Sequence, residues 1–302
     1  METAYGGASH EKAGEIATQV LKEMARKVKP GASILELVEW AEGEIIMKGG
    51  GLGFPCSIAI NDFAAHCSPL AGNSSVIPDG SLVKVDLGVH MDGYVADCAT
   101  TVNLDSAFTN LERASIEGLK AGIESIRAGV KICEVSAQIC SQIEAHDAKP
   151  IYNLSGHSIG RYMVHTGISI PNHSCSDDYV FKEGDVFAVE PFATNGGGYV
   201  KDGGLAGIYR LIGQKNYRNI AARKISSKIF GERKTLPFAE RWLHKIEPSR
   251  FALSGALREM LSSGSVEEYP PLRESTGGMV SQHECTVLVE SGGCHIISGE
   301  LK

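Results

Sequence analysis

The chain has 302 residues, of which 43% are hydrophobic, and its formal net charge is −7. This length and composition allow a large buried core, exclude a disordered or fibrous protein, and argue against a general nucleic-acid-binding protein. No apolar run approaches the roughly 18 residues that a membrane span needs, and the eight scattered cysteines indicate reduced thiols, so we expect a cytoplasmic protein without membrane contact.

Hydrophobic periodicity predicts two helix pairs and a set of short strands. The helices are expected at 9–28, 34–48, 110–128 and 134–147. The strands are expected at 57–60, 82–89, 94–102, 186–190 and 280–289. The strands at 82–89 and 94–102 are close enough in sequence to form a hairpin. Each helix pair thus precedes strands, in the same order in both halves of the chain.

Residues 210 to about 263 break this order, because apolar side chains at helical spacing return there. Helical stretches are expected around 217–229, 238–246 and 250–261. Between Arg210 and Arg250 the net charge is +8, which leaves −15 for the rest of the chain. We interpret this basic, helical block as an insertion in the second half, with an electrostatic character of its own.

Two stretches of the chain resemble each other. Residues 78–86 and 182–190 both place a turn glycine six residues before a carboxylate, Asp86 in the first and Glu190 in the second. A second echo follows in each half, and the offset changes only from 104 to 105 residues. This pattern indicates an internal duplication, in which two related halves would bring Asp86 and Glu190 together at one central site.

Five residues with metal-binding side chains lie in apolar or glycine-rich surroundings: Asp86, Asp97, His157, Glu190 and Glu284. A carboxylate in a hydrophobic strand is costly unless a partner compensates its charge, and several carboxylates with one imidazole suit divalent metal. Side-chain alternation puts Asp86 and Asp97 on one face of the expected hairpin, where they can meet. The set predicts a two-metal hydrolase site.

Other residues remain open as site candidates. His66 and His165 offer further imidazoles near the expected site. The internal repeat pairs Asp97 with Asp202, although glycines on both sides of Asp202 favour a solvated loop. From the residues alone, Asp202 and Glu284 are alternatives.

At these residues the chain resembles the type 2 methionine aminopeptidases, and its compact start is similar to the archaeal-type enzymes. The matching stretches are 53–55, 64–66, 84–89, 96–97, 153–157, 165–172, 187–190 and Glu284. The resemblance implies an α+β pita-bread fold, with pseudo-twofold duplicated halves around a central antiparallel sheet. It also implies a single catalytic domain over 1–302 with a helical insertion at 210–272.

The resemblance further implies an enzyme that removes the initiator methionine from nascent polypeptides whose second residue is small. Asp86 would chelate one metal ion, Asp97 and Glu284 would bridge two, and His157 with Glu190 would complete the second. This implication favours Glu284 over Asp202. The metal pair, which could be cobalt, manganese, iron or zinc, would activate a bridging water for attack on the first peptide bond.

Further roles follow from the same resemblance. Glu190 would relay the proton, His66 and His165 would hydrogen-bond the substrate and the tetrahedral intermediate, and Phe54 would line the methionine pocket. The chain departs from the family at Thr166, where alanine is frequent, and at His283 and Cys285, which flank Glu284. Strand alternation points His283 and Cys285 away from the site.

Two alternative functions remain. The first is another pita-bread peptidase, an aminopeptidase P or prolidase that cuts before proline; the second is a metal-free pita-bread binding protein. We expect a monomer that acts on nascent chains, and the basic block suggests the ribosome as a docking partner through ribosomal RNA.

Overall fold

The structure, a computed structural model, describes residues 4–301. Seven α-helices occur in this part of the chain: α1 (Ala8–Lys27), α2 (Ile34–Met47), α3 (Thr109–Ser125), α4 (Ile132–Ala145), α5 (Ile220–Arg233), α6 (Glu240–Leu243) and α7 (Arg250–Ser262). The four helices expected in the two pairs are confirmed within three residues at each end. None of the helices in residues 4–301 has the length and apolar character to cross a membrane.

The strands form two larger and three smaller sheets, and every pairing between the named strands is antiparallel. The first larger sheet contains β1 (Gly51–Leu52), β2 (Ser57–Ile60), β4 (Leu82–Met91) and β5 (Tyr94–Asn103). The second contains β7 (Ser155–Ser158), β8 (Ser169–Pro171), β9 (Val186–Val189), β17 (Cys285–Val289) and β18 (Cys294–Ser298).

The smaller sheets have three strands each. One contains β6 (Lys149–Pro150), β10 (Phe192–Thr194) and β16 (Val280–Gln282). Another contains β3 (Phe63–Ala65), β11 (Val200–Asp202) and β15 (Leu272–Glu274). The last contains β12 (Ile208–Leu211), β13 (Phe238–Ala239) and β14 (Val266–Tyr269).

The two helix pairs cover the two larger sheets. Helix α1 packs against β4 and β5, and α3 packs against α4 and against β9, β10 and β16. One hydrophobic cluster joins α1 and α2 to the β4–β5 hairpin, and a second joins α3 and α4 to β9 and β17. The order of helix pair and antiparallel strands therefore occurs twice, and the expected α+β class is confirmed.

Local sequence signals explain where the main elements start and turn. Ser33 caps α2 because its side chain accepts a hydrogen bond from the backbone N–H of Glu36. Asn219 and Ser249 cap α5 and α7 in the same way. The β4–β5 hairpin turns through Asp92 and Gly93, whose φ angles of 53° and 89° are left-handed, as a tight two-residue hairpin requires.

Residues 206–266 contribute a hydrophobic cluster of their own, built around α5, α7 and the β12–β14 sheet. One part of the prediction for this block is wrong. The helix expected at 238–246 is reduced to α6, because Phe238 and Ala239 pair with β12 instead. The apolar side chains of Phe238 and Ala239 can be buried in a helix or in a strand. Their backbone hydrogen bonds to β12 favour the strand.

The prediction of one continuous strand at 280–289 is also wrong in part. This segment divides into β16, which pairs with β10, and β17, which pairs with β9. The break falls at His283 and Glu284, where the backbone N–H of Glu284 donates to the carbonyl of Ala99 at 3.0 Å. The last acidic candidate therefore sits where the chain passes from one sheet to another.

Candidate metal centre and active site

The β4–β5 hairpin presents the first two candidates on one face. In its register Gly88 lies opposite Asp97, and Asp86 lies opposite Ala99. Because side chains alternate along a strand, the carboxylates of Asp86 and Asp97 project from the same face, two residues apart. This face was expected from the sequence, and the register confirms it.

The other three candidates come from the second half of the chain. His157 lies in β7, Glu190 directly follows β9, and Glu284 joins β16 to β17. His157 Nε2 is 3.8 Å from Asp97 Oδ2 and 3.5 Å from Glu190 Oε1. One ligand atom each from Asp97, His157 and Glu284 lie within 4.8 Å of one another. The two halves therefore meet at this cluster.

A single cavity of about 300 Å³ collects the predicted site residues. Its lining includes all eight of them: Phe54, His66, Asp86, Asp97, His157, His165, Glu190 and Glu284. Asp202 is exposed in β11 and does not line this cavity. Between the alternatives left open by the residues, the structure brings Glu284, not Asp202, to Asp97.

Burial and mutual repulsion govern the charges of the cluster. Burial raises the pKa of Asp86 to about 7. Burial, and the negative charges of the neighbouring carboxylates, raise the pKa values of Asp97, Glu190 and Glu284 well above their usual range. Within residues 4–301 no lysine or arginine pairs with any of these four side chains. The cluster is therefore short of positive charge.

Two oxygen atoms show the same deficit. Asp86 Oδ1 and Asp97 Oδ1 are buried and have no hydrogen-bond partner. Buried polar atoms are normally satisfied, and unpaired carboxylate oxygens in such a cluster are suited to accept a cation. Carboxylate oxygens with one imidazole are suitable ligands for manganese, iron, cobalt or zinc. The residues present thus fit a divalent metal.

Sequence reasoning missed Gln282. Its Nε2 lies 3.3 Å from Glu190 Oε2 and 3.3 Å from Glu284 Oε2, so one amide group donates to two of the candidate ligands. Its backbone is fixed to Thr101 through two hydrogen bonds with the threonine hydroxyl. Gln282 precedes Glu284 by two residues, and this period-two spacing was the signal that could have found it.

The backbone around Asp97 is also held from outside the cavity. The hydroxyl of Thr286 accepts from the Asp97 N–H and donates to its carbonyl, each at 2.8 Å. Ser298, in the last strand, donates to the same carbonyl at 2.7 Å. These contacts tie Asp97 to β17 and β18 and limit its movement.

His283 and Cys285 lie on the opposite side, as strand alternation predicts. His283 Nδ1 is 2.9 Å from Ser115 Oγ in α3, and Cys285 belongs to the hydrophobic cluster under α3 and α4. Neither residue lines the cavity. His283 and Cys285 therefore lie toward α3 and α4, outside the cavity that the carboxylates line.

Apolar and aromatic side chains form much of the remaining cavity wall, together with the polar residues Ser57, Asn153, Ser155 and Ser169. They include Phe54, Pro55, Leu154, Val164, Ile168, Phe192, Ile208, Pro237 and Tyr269. Gly88 is needed at its position because an added Cβ would overlap the ring of Phe54. The cavity therefore combines a polar cluster with an apolar pocket, as small-molecule sites usually do.

The two further histidines border both parts of the cavity. His66 has a left-handed φ of 60°, and its ring meets Tyr269 edge-on at 5.4 Å. The ring of His165 meets that of His157 edge-on at 4.0 Å. Burial lowers the pKa of His66 to about 4. The imidazole of His66 is therefore neutral at neutral pH and can donate only one hydrogen bond.

A fold of duplicated antiparallel sheets around a buried carboxylate and imidazole cluster defines a metal-dependent hydrolase. The model of metallopeptidase family M24 matches residues 8–226, and the chain belongs to this family. Its relatives include proteins named methionine aminopeptidase. Those of Pyrococcus horikoshii and Thermococcus kodakarensis are 45% and 43% identical, over 92% and 94% of this chain and 94% and 97% of their own. Within the family, the chain belongs with the methionine aminopeptidases.

Solved structures agree on the fold. A thermophilic Arx1 has a TM-score of 0.84 at 18% identity, over 97% of this chain and 90% of its own. A methionine aminopeptidase of Thermotoga maritima has a TM-score of 0.72 at 18% identity, over 99% of this chain and all of its own. At this identity the likeness concerns the fold alone. The expected pita-bread fold is confirmed.

Proposed function

We propose that this enzyme removes the initiator methionine from nascent polypeptides whose second residue is small. The observation that carries the proposal is a single cavity in which five metal-ligand side chains adjoin an apolar pocket. The names of the relatives support the same reaction. An apolar pocket beside the cluster suits an unbranched thioether side chain.

The metal ligands are part of the proposal. We infer that two divalent ions would be held by Asp86 on one side, by His157 and Glu190 on the other, and by Asp97 and Glu284 between them. The spacing of Asp97, His157 and Glu284, and the unpaired oxygens of Asp86 and Asp97, support this assignment. When bound, such ions lower the pKa of water and polarise the scissile carbonyl.

The remaining residues bind the substrate and transfer the proton of the attacking water. Glu190 can accept the proton of the attacking water on its carboxylate, which Gln282 orients, and release it to the leaving amine. His66 and His165 would donate hydrogen bonds to the substrate carbonyl region, where charge develops. Phe54 would contact the methionine side chain from the apolar wall.

The proposed functional test is methionine release from Met-Ala-Ser and Met-Lys-Ser by metal-stripped protein, with manganese, iron, cobalt and zinc restored separately. We expect cleavage of the first peptide alone, restored by metal and lost in Asp97→Ala. Asp202→Ala, which removes the exposed repeat partner of Asp97, is the matched control and should retain activity. Equal cleavage of both peptides would contradict the proposal.

The same test separates the alternatives. An aminopeptidase P or prolidase would cleave Met-Pro-Ser or Met-Pro in preference to Met-Ala-Ser. A metal-free binding protein would cleave none of them with any metal, although folded. The five candidate ligands, all of which line one cavity, favour an enzyme over a binding protein.

We also propose that residues 210–272 form an insertion that docks the enzyme on ribosomal RNA, and that it acts as a cytoplasmic monomer. The separate hydrophobic cluster supports the insertion, and the exposed Arg223, Lys224 and Lys228 on α5 support its docking on RNA. Salt-sensitive co-sedimentation with ribosomes, reduced by charge reversal at these three positions, is the expected result. Binding that ignores both salt and charge reversal would contradict it.

A further inference from the structure

A buried ionic network lies beside the cavity and shares no residue with the metal cluster. Its centre is Glu42 of α2, which is only 7% exposed within an otherwise apolar helix face. Glu42 Oε1 accepts from the Arg241 guanidinium and from the backbone N–H of Cys56, the latter at 3.2 Å. Glu42 Oε2 accepts from Trp242 Nε1 at 2.9 Å. One carboxylate thus joins α2, α6 and the segment after β1.

Arg241 extends the network toward the chain after β3. Its Nη1 donates to Ser68 Oγ at 2.7 Å and to the carbonyl of Pro69 at 3.2 Å. Ser68 in turn donates to the carbonyl of Cys56 at 2.9 Å. The backbone of Cys56 is therefore held at two points. Glu42 accepts from its N–H, and Ser68 donates to its carbonyl.

Arg233, at the end of α5, makes a second connection. Its guanidinium donates to the carbonyls of Leu52 and Pro237, each at 2.9 Å, and lies 4.9 Å from the ring of Trp242. Planar guanidinium groups with several donors are suited to hold two backbone segments in a fixed relation. The Arg233 side chain therefore connects the segment after Leu52 with the segment around Pro237.

These segments are two walls of the cavity. Phe54 and Pro55 line the cavity. Arg233 holds the carbonyl of Leu52 before them, and Glu42 holds the backbone N–H of Cys56 after them. Pro237 also lines the cavity, and its carbonyl accepts from Arg233. Pro237 precedes Arg241 by four residues. None of these contacts involves the side chain of a candidate metal ligand.

We propose that Glu42, Arg233, Arg241 and Trp242 are positioning residues that set the distance between these two walls, and thereby determine which N-terminal side chain the pocket accepts. This inference rests on the proposed function, in which the apolar pocket receives the first side chain of the substrate. A buried ion pair is weak evidence for stability, so a role in fixing geometry gives it a functional reason.

The test uses three conservative variants of the full-length, metal-loaded enzyme. Glu42→Gln keeps the side-chain shape, Arg233→Lys keeps the charge but can reach only one wall, and Trp242→Phe removes one hydrogen bond. Glu259→Gln is the matched control. Glu259 accepts from the backbone N–H groups of Arg218 and Asn219, inside the insertion and outside the cavity wall.

We measure kcat and KM on Met-Ala-Ser and on its norleucine and leucine analogues, together with bound metal. We expect KM for Met-Ala-Ser to rise about tenfold in Glu42→Gln and Arg233→Lys and about threefold in Trp242→Phe, with kcat within about twofold and metal content unchanged. The preference for methionine over leucine should fall in the same variants and stay constant in Glu259→Gln.

Unchanged KM and unchanged preference in the three variants, with an active parent, would overturn the positioning role alone. A kcat loss that follows lost metal would overturn it as well, because the network would then act on the cluster. If Glu42→Gln does not fold, Trp242→Phe, which removes a single hydrogen bond, decides the question. A parent that releases no methionine would instead overturn the proposed function, and the inference with it.

Discussion

Single side chains in this site connect candidate ligands that come from separate elements. Gln282 shows this most directly, because its one amide nitrogen lies between the carboxylates of Glu190 and Glu284. Groups that hold metal ligands in place contribute strongly to metal affinity without touching the metal. The amide therefore fixes the relative position of one candidate ligand from β9 and one from the β16–β17 junction.

We expect Gln282→Leu to weaken divalent-metal binding by about 10- to 100-fold, because both carboxylates lose their shared donor. Calorimetric titration of the metal-free variant with manganese measures the effect. Gln138→Leu, at an exposed position of α4, is the control and should bind as the parent does. Equal affinity in Gln282→Leu and the parent would show that the amide does not orient the ligands.

At the scale of elements, the β4 strand depends on a residue without a side chain. Gly88 faces Asp97 across the hairpin, and the ring of Phe54 occupies the space where a Cβ would be. We expect Gly88→Ala to displace Phe54 and to raise KM for Met-Ala-Ser about tenfold while metal affinity changes little. Steady-state kinetics and metal titration separate the two effects.

Gly43→Ala in α2 provides the matched control, because an added Cβ there meets no atom within 4 Å. It should leave KM unchanged and, as a helix-interior glycine replaced by alanine, add roughly 0.5 to 1 kcal/mol of stability. Parallel kinetic changes in both variants would mean that Gly88 has no special relation to Phe54.

A second element-scale feature is the cradle around Glu274 at the end of β15. Its carboxylate is 1% exposed and accepts from the backbone N–H groups of Gly197, Gly198, Thr276 and Gly278. These donors, together with the hydroxyl of Thr276, outweigh the effect of burial and lower the pKa of Glu274 to about 2. In the native state the Glu274 carboxylate is therefore charged while it accepts these hydrogen bonds.

A pKa below the unfolded value of 4.5 means that Glu274 stabilises the fold above pH 4.5 and loses that contribution as the pH falls toward 2. We expect Glu274→Gln to unfold more easily than the parent at pH 7, by on the order of 2 to 3 kcal/mol, and the difference to shrink by pH 3. Urea unfolding at both pH values measures it. A difference independent of pH would contradict the assignment.

The sequence predicted the paired helices and the hairpin well, because each buries one regular face that alternation or helical spacing reveals. It failed at Phe238 and at Glu284, where a strand pairing made by distant residues decided the local conformation. Glu42 was also missed, since one acidic residue in an amphipathic helix has no distinguishing pattern until its partners, nearly 200 positions away, are known. Long-range hydrogen bonds of this kind leave no local signal.

At the scale of the whole molecule, the two halves meet at a cluster that lacks positive charge. Asp86 and its neighbours have raised pKa values, so they favour the folded state when protonated and oppose it when charged. For Asp86 this contribution is fully present below the unfolded value near pH 4 and is lost as the pH rises through about 7. Metal would replace the protons and remove this loss.

We therefore expect the metal-free protein to lose stability, on the order of 3 kcal/mol, between pH 5 and pH 8. Saturating manganese should abolish this slope and raise the melting temperature most at pH 8. Unfolding with chelator and with metal, at both pH values, measures it. In Asp97→Asn the slope should be shallower and the metal effect small; a slope identical to that of the parent would contradict the prediction.

The order of the ligands along the chain has a consequence for biosynthesis. Asp86 and Asp97 emerge from the ribosome about 190 residues before Glu284 and Ser298, and Ser298 holds the Asp97 carbonyl. The hairpin must therefore wait, with its carboxylates uncompensated, until the β16–β17 junction and β18 have been made. The five candidate ligands can therefore come together only after the strands of the second half have left the ribosome.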